Sequence, residues 1–168
     1  GIDLNHPFFG PDADNNGISD RIVYSYDFSG TNDADASDTN GHGSNVASIV
    51  GGASQSVPGV APGVNIIALK VFPDGENPSY ADSDVKQALQ WAVDNAVAYN
   101  IVAVNLSLGV KKNFATVQTG VYSAELAALV NKGIIPVAAA ANHYVDFQSP
   151  GVSYPAADAN AWAVSAVY

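Results

Sequence analysis

The chain predicts an α/β fold: three layers, with a mostly parallel twisted sheet and helices on both of its faces. Residues 65–72 (NIIALKVF) form a nearly continuous apolar run, the mark of a strand covered on both sides. Further buried strands are expected at 101–106 (IVAVNL), 134–140 and 160–167 (NAWAVSAV). Between them, residues 85–97 and 123–132 carry apolar side chains at helical spacing. Strand, helix, strand, helix, strand calls for right-handed parallel crossovers. In such sheets the ligand crevice lies beyond the carboxyl ends of the strands.

Composition agrees with that class. Of 168 residues, 48% are hydrophobic and 13% charged, which suits a folded domain with a real core. No apolar run approaches the roughly 20 residues of a membrane span, and no basic-then-apolar signal opens the chain. Six basic against sixteen acidic residues leave a net charge of −10, which disfavours nucleic acid and anionic membranes as partners and favours a divalent cation. Cysteine is absent, so disulfides and thiol catalysis drop out. Methionine is also absent, and the chain is expected to be an internal piece of a longer polypeptide.

Taken in order, residues 1–7 read as a turn, with Asp3 and His6 as turn residues. Residues 12–20 (DADNNGISD) set oxygen-bearing side chains at Asp12, Asp14, Asn16 and Asp20, with Gly17 in the sixth position. This is calcium-loop spacing: alternate residues face one centre, the glycine permits the sharp turn, and Ile18 adds its carbonyl. Val23 stands where such loops carry a bidentate glutamate, and a solvated acidic turn is the competing reading. Hard oxygen donors with no histidine or cysteine nearby suit Ca2+ rather than Zn2+. Residues 21–28 (RIVYSYDF) read as a strand. The polar stretch 29–39 carries Asp33, Asp35 and Asp38, either a cation site or a hydrated loop.

Residues 40–52 (NGHGSNVASIVGG) are the most informative stretch. His42 lies between Gly41 and Gly43, so the backbone around it can approach a ligand closely or take a positive φ. Ser44 and Asn45 open an apolar run of Val46, Ala47, Ile49 and Val50, closed by Gly51 and Gly52. That predicts a short helix with a buried face and a glycine stop. His42 then sits at the helix N-terminus, where the macrodipole disfavours imidazolium and leaves a proton-accepting ring suited to a general base. The plainer reading is a polar residue at a helix start.

Residues 53–63 and 73–82 are loops by their Gly, Ser and Pro content. Asp84, with Gln87 at the third position, predicts a capped helix start. Val85, Ala88, Leu89, Ala92, Val93, Ala96 and Val97 form its stripe. In the helix 123–132, Leu126, Leu129 and Val130 point inward and Gly133 is the stop. Pro136 is tolerated at the start of its strand.

HGSNVASIVGG resembles, over eleven consecutive positions, the active-site histidine motif of the subtilases, the subtilisin-like serine proteases. Asn45 stands where many members carry a second histidine. Gly1 to Pro7 resembles the segment just after the family's catalytic aspartate, and Tyr80-Ala81-Asp82 resembles a substrate-binding strand. Asn-Leu-Ser-Leu-Gly at 105–109 is similar to the segment that walls the specificity pocket. Ala-Ala-Ala-Asn at 139–142 is similar to the strand end that delivers the oxyanion-hole asparagine, with Ala141 where the family usually has glycine. Residues 150–167 are similar to a later turn and strand.

The resemblance implies a truncated subtilisin-like fold and a Ser-His-Asp peptidase mechanism. His42 would be the base and Asn142 the donor to the developing oxyanion. Tyr80, Ser107, Leu108, Gly109, Ala140 and Ala141 would bind a peptide or protein substrate. The nucleophile motif, Gly-Thr-Ser-Met before a helix, is not in the sequence. The expectation is therefore a single domain over residues 1–168, an incomplete catalytic domain lacking the Asp strand upstream and the Ser helix downstream. It would be secreted, would carry structural Ca2+ and would be inactive alone; oligomeric state is not legible. The alternative is a non-catalytic calcium- or peptide-binding module derived from a subtilase. A nucleotide-binding doubly wound domain is disfavoured, because no G-x-G-x-x-G or P-loop follows a strand.

Overall fold

A computed structural model of the chain describes residues 1–75 and 79–166. Residues 76–78 of the loop expected at 73–82, and Val167 at the end of the last expected strand, lie outside the described residues. The chain divides into two compact units, Gly1–Ala88 and Leu89–Tyr168.

The first unit contains a 3-10 turn at Pro7–Phe9, strand β1 (Ile22–Asp27), helix α1 (His42–Gly51) and strand β2 (Ile66–Lys70). β1 and β2 pair in parallel, ending with Asp27 opposite Lys70. Ile2, Leu4, Phe9, Ile22, Ala36 and Ala68 form the core, with Ile18, Ala47 and Ile66 packed on it. Burying a side chain such as Phe9, at 1% exposure, stabilises by about 1.5–3 kcal/mol. The apolar face expected on α1 is narrower than its sequence implies. Ala47 meets the core, while Ile49 and Val50 are exposed. A helix laid on so small a layer covers one stripe and leaves its flank open.

Helix α2 (Asp82–Asp94) begins two residues before the expected cap. The N–H groups of Asp84 and Val85 both donate to the Ala81 carbonyl, and Gln87 reaches the Ser83 carbonyl instead of closing a capping box. Asp82 and Asp84 then share the first turn, where the macrodipole favours carboxylates. Val85, Ala88, Leu89, Ala92, Val93 and Ala96 are buried as expected. Val97 is 88% exposed, because the helix has ended and its period no longer turns that residue inward.

The second unit orders β3 (Ala103–Leu106), β4 (Ile135–Ala139) and β5 (Trp162–Val164) as a parallel sheet with β4 in the middle. Helix α3 (Ser123–Asn131) buries Leu126 and Leu129. Val130, expected inward, is 44% exposed although it follows Leu126 by four residues, at the margin of the buried stripe. Gly133, at φ +77°, stops this helix: its N–H donates to Val130 and that of Ile134 to Leu129, satisfying the last carbonyls. A short helix α4 (Tyr144–Phe147) follows β4.

Two-sided burial of these strands is not found. Along β4, Pro136 and Ala138 are buried while Ile135 is exposed, and Trp162 and Val164 of β5 are exposed. α3 packs on β4 and covers one face, so the strand alternates. Pro136 is compatible with a central strand because of where β5 begins. The N–H of Ile135 points to β3, donating to Val102, and that of Ala140 points to β5, donating to Val164. By alternation the nitrogen of residue 136 faces β5, whose first residue pairs with Val137. No ladder bond is lost.

Candidate active site

His42 is the first residue of α1 and is exposed. The N-cap is Gly41, at φ +91°, which has no side chain to receive the free N–H groups of the first turn. Asp38, three residues upstream, takes up one of them, the Ser44 N–H, together with the N–H of the N-cap itself. Its Oδ2 accepts from the Ser44 N–H at 2.8 Å and the Ser44 hydroxyl at 2.6 Å, and its Oδ1 accepts from the N–H groups of Asn40 and Gly41. Burial works against this charge. The Ser44 hydroxyl and the three N–H donors outweigh it and hold the carboxyl at about 2.

Ser44 also ties the chain's first residues to the helix tip. Its Oγ accepts from the Asp3 N–H at 2.8 Å, and Ile2 donates to the Ala36 carbonyl at 2.9 Å. Gly43 is needed for that crossing: a Cβ there would lie 1.9 Å from the Gly1 carbonyl oxygen.

At the carboxyl ends of β1 and β2 stands a charged pair. Asp27 is 3% exposed and Lys70 4%, with Nζ 3.2 Å from Asp27 Oδ2 and 2.8 Å from Asp74 Oδ1. Thr39, next to Asp38, donates to the same Asp74 oxygen at 2.8 Å. Burial disfavours the Asp27 charge, but the Ser29 hydroxyl and N–H and the Lys70 ammonium hold its carboxyl below the usual range. Burial likewise opposes the ammonium of Lys70, which Asp74 and Asp27 keep above its ordinary value. Sequence reasoning missed this pair. The available signal was a lysine inside the apolar run NIIALKVF, since a charge in a covered strand needs a partner.

Tyr80 is half-buried, edge-on to Phe72 with ring centres 5.0 Å apart. Of the acidic loop at 29–39, Asp33 and Asp35 serve as turn acceptors, Asp33 from the Asp35 N–H and Asp35 from the N–H and hydroxyl of Ser37.

In the second unit, Asn142 is exposed two residues beyond Ala140, whose N–H donates to Val164 and whose carbonyl accepts from Ser153. Ala141 between them has φ +73°, a left-handed backbone that explains why glycine suits the position. Ser107, Leu108 and Gly109 leave β3 and are anchored to the same segment. Val110 donates to the Tyr154 carbonyl, Ser153 Oγ donates to Val110, and a Cβ on Gly109 would lie 2.6 Å from Ser153 Oγ. Ser153 and Tyr154 thus hold both expected substrate-binding segments of this unit. Beyond Asn142, the Asp146 carboxyl sits below the usual range through its bond with His143 and the charge of Lys111.

Carboxylate oxygens of Asp12, Asp14 and Asp20 lie within 4.8 Å of one another. The loop is closed by its own side chains. Asp12 accepts from the N–H groups of Asn16 and Gly17, Asn16 Oδ1 from that of Ile18, and Asp20 from that of Ala13. Gly17 is at φ +87°, as the turn requires. Ser19 beneath it is fully buried, with no partner for its hydroxyl among the described residues. A compact set of hard, anionic oxygens fits a calcium ion.

The sequence profile of the Subtilase family matches residues 1–168. Subtilisin Savinase of Lederbergia lenta is 37% identical over 131 residues, 77% of this chain and 43% of that protein. A subtilisin of Bacillus sp. (strain TA39) is 35% identical over 99% of this chain and 37% of its own length. Among solved structures, the S41 psychrophilic protease superposes with a TM-score of 0.75 at 32% identity, covering 99% of this chain and 50% of that one. Sphericase gives the same TM-score at 28% identity. The chain spans less than half the length of these curated relatives, and its α/β fold is subtilisin-like. Eleven consecutive residues around His42, a helix tip cleared by two glycines and a profile match from end to end agree: the chain belongs to the subtilase family.

Proposed function

We propose that this chain is the histidine-bearing part of a secreted serine endopeptidase. The observation that carries the reading is the tip of α1, where His42 is exposed on a first turn that Asp38 holds through the N–H and hydroxyl of Ser44. His42 takes the proton of a serine hydroxyl as that oxygen attacks a peptide carbonyl, then returns it to the leaving amine. Asn142 stabilises the carbonyl oxygen as charge develops on it. Ser107 to Gly109, Ala140, Ala141 and Tyr80 align the substrate chain. Asp12, Asp14, Asn16, Asp20 and the Ile18 carbonyl hold a Ca2+ ion, which neutralises the acidic loop and stiffens it.

Activated serines are acylated by fluorophosphonates only when base and nucleophile are within hydrogen-bond reach. The chain as given is expected to be inert to such a probe and to leave casein intact, while the full-length protein labels and cleaves. Loss of both activities in His42→Ala of the full-length protein supports the reading. A full-length protein that binds peptide without labelling makes the chain part of a non-catalytic module instead.

A further inference from the structure

The buried lysine at the end of β2 has no role in the Ser-His-Asp scheme, yet it pairs with two carboxylates, Asp27 and Asp74. We propose that Lys70, Asp74 and Thr39 form a positioning clasp that holds the loop delivering His42. The proposal rests on the reading of His42 as general base.

Three observations carry it. Lys70 is 4% exposed and pairs with Asp27, itself 3% exposed, so its ammonium is fixed where two adjacent strands end. A buried charge pair of this kind does not by itself imply added stability, because desolvating both ions offsets much of their attraction. What distinguishes Lys70 is its third contact. Nζ also reaches Asp74 at 2.8 Å, and the same Asp74 oxygen accepts from Thr39 Oγ1 at 2.8 Å. Thr39 lies between Asp38, which caps α1, and Asn40, whose N–H Asp38 also holds. The line from the sheet to the histidine is therefore short and continuous: β2 end, Lys70, Asp74, Thr39, Asp38, first turn of α1. Neither glycine beside His42 adds stiffness, and Gly41 supplies no cap of its own. Rigidity at that tip comes from the loop before it, beside the Asp3–Ser44 bond.

A residue that places a base acts on the chemical step, because a displacement of about 1 Å costs roughly a hundredfold in rate while distant substrate contacts persist. Lys70→Met would leave Asp27 buried without its counter-charge and risks the fold, so the decisive variants are at Thr39. In the full-length protein, Thr39→Val keeps the shape and removes the donor, and Thr39→Ser restores it. The expected result is a kcat about tenfold lower for Thr39→Val with KM within twofold and Tm nearly unchanged, recovery in Thr39→Ser, and a similar split in Asp74→Asn. An unchanged kcat in Thr39→Val, or a change confined to KM, overturns the clasp. His42→Ala is measured alongside. If that variant keeps full activity, the general-base reading has failed; if it is dead while Thr39→Val keeps full kcat, the clasp alone has failed.

Discussion

Asp38 and Ser44 are joined twice: one carboxylate oxygen of Asp38 accepts both the backbone N–H and the hydroxyl of Ser44. A side chain outside the helix thereby takes the place of the cap that Gly41 cannot provide. The same hydroxyl accepts the Asp3 N–H, so helix tip, preceding loop and first residues of the chain share one hydrogen-bond centre.

That centre is sensitive to acid. The folded-state value of Asp38 is depressed from 3.8 to about 2, so its contribution to stability is fully present above about pH 4 and is lost as pH falls towards 2. Asp38→Asn keeps the shape but weakens the charge-assisted bonds. It is expected to lower unfolding free energy by about 1–2 kcal/mol at neutral pH. Denaturant melts from pH 7 down to pH 2 should show the two proteins converging at the acid end. A gap that stays constant across that range would refute the assignment.

Gly43→Ala is expected to cost about 2 kcal/mol or more, since the added methyl meets the Gly1 backbone and not a flexible side chain. Gly41→Ala tests a different cause, a left-handed backbone with open space around it, and should cost about 1 kcal/mol. Thermal melts of the two variants side by side separate crowding from backbone strain.

Ala141→Gly is predicted to stabilise. A non-glycine residue at φ +73° carries about 1 kcal/mol of strain, which glycine relieves at the cost of a more mobile unfolded chain. A rise in Tm of a few degrees is the expected outcome. A fall would mean that the methyl group packs better than the backbone is strained.

Calcium should raise the melting temperature and a chelator lower it, because an ion bound by the native state alone shifts the folding equilibrium. Asp14→Ala, which removes one of the three converging carboxylates, should abolish the difference. Calorimetric scans of the full-length protein with calcium and with chelator make the test, and identical melts would favour the solvated acidic turn.

Strands and helices were legible because their apolar runs are local. NIIALKVF and IVAVNL contain the strands Ile66–Lys70 and Ala103–Leu106 to within two residues at each end. What covers an apolar residue is not local, and Ile49, Val50, Val97 and Val130 all looked inward while standing exposed. The start of α2 was ambiguous because Asp82, Ser83 and Asp84 all suit a cap, and the Ala81 carbonyl decided among them. His42 could be picked out from its glycines and neighbours. The residues behind it could not: Asp27 and Lys70 are 43 positions apart and meet only through strand register. Asp38 looked like one more acid in a hydrated loop.

The proline in β4 has a consequence for how the second unit assembles. Sliding β4 by one residue against β3 would turn the proline nitrogen towards the Val102 side, where a donor is required, and would exchange the strand's buried and open faces. Pro136 therefore acts as a key that admits one threading of the strand. Because Asn142 follows the strand's last residue by three positions, the same key determines where that amide emerges.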